Sequence, residues 1–333
     1  MSSAGHPHGL TLVWASDIHF PQATLYAAET WARSVSLAGA DMLVLTGDIS
    51  NCRRIYRDLD WISRTAARPA LMETRFVLGN HDLLEAGYRE AETLEDVRDD
   101  LRGHLSARSG PDDLVYLHDL EPGDRKCEIP HQPGFVMLGV DGWWDGRAAV
   151  QDLKRKMSAE YRGSEVQKNI AKYARRADLD TWKLRARLDA ILNAPGGPSH
   201  RGSPVTDVVL LTHVPPFPEA CLYNGRPTDD SHIGYFSNVG LGNMLAEVAG
   251  AHRRIRFTVL CGHTHDDAYL RAAPNLHVFV QGAVHGAPSF QIVRFDPLTR
   301  EPSVMRHGIA YERESAPFYG PHSSLTENQT ATE

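Results

Sequence analysis

Along the chain, short apolar runs end abruptly in residue types that bind metals, and this happens at five separated places. Leu10 to Ala15 leads into Ser16-Asp17-Ile18-His19, Met42 to Leu45 into Thr46-Gly47-Asp48, and Phe76 to Leu78 into Gly79-Asn80-His81-Asp82. Val208 to Leu211 leads into Thr212-His213, and Phe257 to Leu260 into Cys261-Gly262-His263-Thr264-His265. Such runs are apolar on both faces, which predicts strands covered from both sides. Phe135 to Val140 has the same form ahead of Asp141-Gly142-Trp143-Trp144, which reads as a strand-end turn with packed rings or as a wall against substrate.

Helical spacing fills several of the gaps. Leu25, Ala28, Ala32 and Val35 predict a helix within residues 22–38, stopped by Gly39. Leu184, Leu188, Ile191 and Leu192 predict a packed helix after Asp178 that breaks at Pro195-Gly196-Gly197. Residues 276–280, 290–295 and 303–306 read as closing strands. Strands alternating with helices define an α/β fold. The expected organisation is a single domain over residues 10–310 with a helical, basic insertion at about 142–204, followed by a flexible tail at 311–333.

Composition narrows the function. With 42% hydrophobic and 23% charged residues among 333, the chain is globular rather than disordered, collagen-like or coiled-coil. A net charge of −7 disfavours a polyanion such as nucleic acid and leaves a small partner as the expectation. Within that acidic chain, residues 147–176 are basic and read as a solvated helical face or as a lid attracting phosphate. Four scattered cysteines without a C-x-x-C pair fit a reducing compartment. No apolar run is long enough for a bilayer, and strand-like sequence starts by Leu10, leaving no room for a signal peptide. A cytoplasmic protein is expected.

Histidine is the compositional outlier, at 17 residues. Asp17 and His19 are two apart, so near a strand end they can point to one side and grip one ion together, and His263 and His265 repeat the two-apart arrangement on another strand. Asp48 follows Gly47 and has two oxygens with which to bridge two ions; Asn80 offers an amide oxygen and His213 an imidazole. Shared out with Asp48 bridging, this set gives each of two ions four protein ligands, and its mixture of N and O donors favours manganese, iron or zinc over magnesium or calcium. Taken singly, Asp17, Asp48 and Asn80 also read as caps or turn residues, and His213 as a hydrogen-bonded loop histidine. Five coordinated placements are what those readings do not produce. His6, His8, His118, His131, His232, His277, His285 and His307 are read as ordinary structural histidines, and Cys52 and Cys221 as bystanders.

In this order, Asp17-x-His19, Gly47-Asp48, Gly79-Asn80-His81-Asp82, His213 and Gly262-His263-x-His265 resemble the calcineurin-like metallophosphoesterase family, over residues about 10 to 295. The resemblance implies a four-layer α/β/β/α sandwich with two central mixed β-sheets and a dinuclear metal site at the strand ends. It implies one ion on Asp17, His19, Asp48 and His265, and a second on Asp48, Asn80, His213 and His263, both divalent or mixed-valence transition metals (Mn, Fe or Zn). Two such ions acidify a bridging water into a nucleophile at neutral pH. His81 would assist the leaving group, with Asp82 orienting its ring.

Ile49-Ser50-Asn51-Cys52-Arg53 departs from the Val-Asp-Arg-Gly run of the protein phosphatase branch. Gly-Asn-His-Asp with Gly-His-x-His is closer to the bacterial-type phosphodiesterase branch. The expected activity is hydrolysis of a small phosphodiester; a phosphomonoesterase, a nuclease and a catalytically silent binding module are the alternatives. Arg53 and Arg54 read as a phosphate clamp or as a surface pair.

Overall fold

Every residue of Met42–Thr46, Phe135–Gly139 and Asp207–Leu211 is buried, so these strands lie inside a layered structure, as their unbroken apolar runs require. The computed structural model describes residues 9–83, 94–108, 113–149, 170–229, 232–306 and 309–310. The chain runs β1 (Thr11–Ala15), α1 (Leu25–Ser36), β2 (Met42–Thr46), α2 (Ile55–Ile62), β3 (Glu73–Val77), α3 (Leu94–Ala107) and β4 (Leu114–Tyr116). It continues through β5 (Phe135–Gly139), α4 (Ile170–Leu192), β6 (Asp207–Leu211), α5 (Val239–Ala251) and β7 (Arg256–Cys261). Strands β8 (Ala268–Ala273), β9 (Leu276–Val280), β10 (Gln291–Phe295), β11 (Pro302–Arg306) and β12 (Ile309–Ala310) complete it.

These strands form two mixed sheets. The first has the order β12-β11-β10-β1-β2-β3-β4, parallel from β1 to β4 and antiparallel from β1 outward through β10. The second has the order β8-β9-β7-β6-β5, parallel except at β8. Strand periodicity sorts the side chains into layers. Leu12, Trp14, Met42 and Val44 share a buried cluster with the second sheet, which continues to Leu184 and Leu188 of α4 and to Leu241 and Leu245 of α5. The alternate residues Val13, Ala15, Leu43 and Leu45 pack instead on Trp31 and Val35 of α1, Ile55 and Leu59 of α2 and Leu101 of α3. The result is the expected four-layer α/β/β/α sandwich, in which each fully buried Leu or Val contributes about 1.5–3 kcal/mol.

Boundaries moved where local chemistry overrode periodicity. Helix α1 starts at Leu25 because the Thr24 side chain accepts from Ala27 N–H (3.2 Å) and caps it. Helix α4 begins by Ile170, ahead of the Asp178 start read from its stripe. Residues 150–169 of the basic segment and the tail 311–333 lie outside the described residues. Within its described part, Arg147 pairs with Asp145 (2.9 Å) and Asp178 (2.7 Å), and Arg176 pairs with Asp180 (3.3 Å) and Glu95. Those two arginines are neutralised by carboxylates. Among the described residues no helix is long and apolar enough to cross a membrane.

Candidate metal centre

All seven residues expected to ligate sit just beyond the ends of β1, β2, β3, β6 and β7. Backbone hydrogen bonds lace these loops together: Asp17 N–H to Gly47 O (3.0 Å), His19 N–H to Asp48 O (3.0 Å) and Gly262 N–H to His213 O (2.9 Å). Asp17, His19, Asp48, His263 and His265 all adopt left-handed backbone, with φ between 47° and 74°. Non-glycine residues avoid this region at a cost of order 1–3 kcal/mol each, and such strain persists where the surroundings over-determine it. Here it turns the side chains out of the sheets toward a common centre. Two glycines permit the approach. A Cβ on Gly47 would lie 2.7 Å from His213 Nδ1, and one on Gly262 would collide with the Ser16 hydroxyl and the Asp17 carboxylate.

The donor atoms converge in two overlapping groups. In one, His265 Nε2 lies 3.3 Å from Asp17 Oδ1 and 3.4 Å from His19 Nε2, and His19 Nε2 lies 3.9 Å from Asp48 Oδ2. In the other, His213 Nε2 lies 3.3 Å from Asp48 Oδ2 and 3.1 Å from Asn80 Oδ1, with the His263 ring edge-on to His213. Ligands about 2.1 Å from one ion stand roughly 3.0–3.4 Å from each other, which matches every one of these spacings except the longer one from His19 to Asp48. One oxygen, Asp48 Oδ2, faces both groups. Its partner Oδ1 accepts from His81 N–H (2.9 Å), so a single oxygen rather than the pair faces the two sides.

Hydrogen bonds behind the imidazoles fix which nitrogen looks inward. His213 Nδ1 donates to Thr46 O (2.9 Å), presenting Nε2, whereas His263 Nε2 donates to Tyr235 O (2.8 Å), presenting Nδ1. Tyr235 is itself held edge-on by the buried Trp144 at 4.9 Å, so Trp143-Trp144 is packing behind a candidate ligand and not a substrate wall. Asp17 Oδ2 accepts from Ser16 Oγ (2.6 Å) and His263 N–H (2.9 Å). Its Oδ1 is buried without a hydrogen-bond partner among the described residues. A buried carboxylate oxygen left unsatisfied beside converging imidazoles fits a cation.

Charge points the same way. Burial works against ionising Asp17, yet the imidazoles of His213 and His265 outweigh it and hold the carboxyl below the usual carboxylate range. Burial alone would lower His213, but Asp48 and Asp17 push it up to about 9. Burial pushes His19 and His263 down to about 4, so both stand ready as neutral donors. The carboxylate pair thus draws positive charge to the centre of the cage.

Two residues stand differently from the sequence reading. Asp82 was expected to orient the ring of His81. Its carboxylate instead accepts from three backbone N–H groups, those of Ser50 (2.7 Å), Gly79 (3.0 Å) and Ile49 (3.2 Å), and so clamps the loop after β3 to the loop after β2. Burial, with Asp48 nearby, raises it to about 7. His285, read as an ordinary histidine, is brought to the cage, its ring 4.8 Å from that of His19 and 4.7 Å from that of His265. No motif adjoins it in sequence. Arg54 pairs with Asp58 (3.2 Å), four residues along its helix.

A layered α/β sandwich that gathers carboxylate, amide and imidazole donors at its strand ends defines a metallohydrolase. More specifically, the family model for calcineurin-like phosphoesterases matches residues 10–267, and the chain belongs to that family of phosphoester hydrolases. Solved structures similar to it include a protein of Thermus thermophilus, at 15% identity and a TM-score of 0.45, over 90% of this chain and 99% of that one. A dimetal phosphatase from Danio rerio is similar at 14% identity and a TM-score of 0.47, over 90% of this chain and 99% of that one. A purple acid phosphatase from yellow lupin (Lupinus luteus) seeds is similar at 11% identity and a TM-score of 0.46, over 91% of this chain and 52% of that one. No curated protein matches the chain in sequence.

Proposed function

We propose that the protein hydrolyses a small phosphodiester in the cytoplasm, using two transition-metal ions of the Mn, Fe or Zn kind. Asp17, His19, Asp48 and His265 would hold one ion, and Asp48, Asn80, His213 and His263 the other. The single observation that carries this reading is the convergence of donors from both groups on Asp48 Oδ2. When bound, such ions would supply Lewis-acid charge for the phosphoryl oxygens and would lower the pKa of water toward neutrality.

The chain's own residues supply the rest. Thr46 and Tyr235 hold their imidazoles in one tautomer, Ser16 holds Asp17, and Asp82 keeps the loop carrying Asn80 and His81 against the loop carrying Asp48. His81 is half-buried at the mouth of the cage, with Nε2 3.9 Å from Asp48 Oδ2. An imidazole there is in position to pass a proton to a departing alkoxide. Preference for a diester over a monoester is supported by the Gly79-Asn80-His81-Asp82 and Gly262-His263-Thr264-His265 pairing. Four buried free thiols support a reducing compartment.

The test is turnover of bis(p-nitrophenyl) phosphate against p-nitrophenyl phosphate with added Mn²⁺. Faster diester cleavage is expected. Monoester preference would overturn the substrate assignment, and no turnover of either with Mn²⁺, Fe²⁺ or Zn²⁺ would overturn the activity.

A further inference from the structure

The loop that carries His285 is built to hold it in place. After β9, Gln281 N–H donates to Cys261 O (2.9 Å) and Ala283 N–H to His265 O (3.0 Å), tying the loop to the strand end that bears the candidate ligands. Asp267 accepts from Gly282 N–H (2.7 Å) and from Gln291 Nε2 (2.6 Å), bracing both ends of the loop. Ala287 N–H then donates to Val284 O (3.0 Å), and Gly286 takes φ 77°, which makes Val284–Ala287 a tight turn with His285 at its second position. The turn leans on the segment after His19, since a Cβ on Gly286 would stand 3.3 Å from Gln22 O. His285 is exposed, but its anchorage is not loose.

The ring so placed meets two rings of the cage. His19, His265 and His285 each offer one ring nitrogen, and these three atoms lie within 4.8 Å of one another. The rings are mutually tilted, at 48° for His19 with His285 and 65° for His265 with His285, rather than stacked face to face. Three imidazoles whose ring nitrogens converge beside the Asp17 carboxylate gain from a shared cation, to which each gives a lone pair.

We propose that His285 is a further protein ligand to the ion held by Asp17, His19, Asp48 and His265. The inference rests on the dinuclear reading given above. It assigns the two halves of the cage different donor sets, with one more imidazole on the Asp17 side than motif positions alone provide.

Co²⁺ titration of the metal-free full-length protein, followed by calorimetry and by the visible d–d bands, tests it. Wild type is expected to bind two Co²⁺ per chain. His285→Ala is expected to weaken one of the two sites roughly tenfold or more, leave the other unchanged and alter the d–d spectrum. His285→Asp, which restores a donor, is expected to recover part of the affinity. Two sites of wild-type affinity and spectrum in His285→Ala would overturn this inference alone, as would a rise in KM with Co²⁺ binding unaltered, which would make His285 a substrate contact. Failure of wild type to bind Co²⁺ would overturn the dinuclear reading itself, and His285 with it.

Discussion

His81 touches Asp48 twice: its backbone N–H donates to Oδ1 at 2.9 Å, and its Nε2 stands 3.9 Å from Oδ2. The first contact orients the shared carboxylate and survives any substitution that keeps the N–H. The second belongs to the side chain alone. His81→Ala is therefore expected to retain two metals per chain by elemental analysis while turnover falls about 10²–10⁴-fold. A metal-depleted variant would show that the imidazole holds the centre together.

Asp48 and His265 should separate by stoichiometry. Asp48 Oδ2 faces donors of both groups, whereas His265 approaches Asp17 and His19 only on one side. Asp48→Asn is expected to reduce bound metal from two ions to below one, and His265→Ala to about one. Equal losses in the two variants would argue against a shared carboxylate.

Metal binding should be strongly pH-dependent, with a sign set by His213. In the metal-free chain Asp48 and Asp17 raise this buried imidazole from 6.5 to about 9. Its contribution to metal-free stability is fully present below about 6.5 and is lost as pH rises through about 9. A cation must displace that proton, so affinity should rise with pH over the same interval, with about one proton released per chain from this group. Calorimetry in buffers of different ionisation enthalpy measures the release; none at pH 7 would contradict the assignment.

Arg98 is a structural keystone some way behind the cage. The buried guanidinium reaches Asp141 (2.7 Å), Asp180 (3.4 Å) and Glu95 (2.7 Å). Asp141 in turn accepts Leu78 N–H (2.9 Å) on its side chain and His213 N–H (3.0 Å) on its carbonyl, so the network reaches two loops of the site. Arg98→Met leaves Asp141 and Asp180 buried without this counter-charge and should cost about 3–5 kcal/mol in urea unfolding. A loss below about 1 kcal/mol would show that the carboxylates find other partners.

The strand ends, and the position of the seven candidate donors just beyond them, were legible because apolar runs end where the sheet ends, and Asp17/His19 and His263/His265 each fall two apart there. Asp82 misled because adjacency to His81 suggests contact. Yet Asn80–Leu83 is a single helical turn, on which neighbours i and i+1 do not face each other, and Asp82 points inward to the β2 loop while His81 stays at the mouth. His285 was not legible at all, since its position depends on Asp267 and on the carbonyl of His265, both remote from it in sequence. Strand β8 was not legible because as an edge strand it is only half buried and reads AYLRAA, and α5 because Gly240, Gly242 and Gly250 interrupt its apolar stripe with poor helix formers.

Strand β1 lies between β2 on one side and β10 on the other, with Trp14 opposite Gln291 and Thr11 opposite Arg294. A nascent chain emerging from the ribosome therefore carries an open β-edge at its first strand until residues beyond 290 have been synthesised. The sheet can close only after translation has passed that point, and this long separation between partners makes closure slow. Until then the exposed edge offers a template for pairing with other chains. A fragment ending at residue 267, where the family match stops, would leave the same edge permanently open.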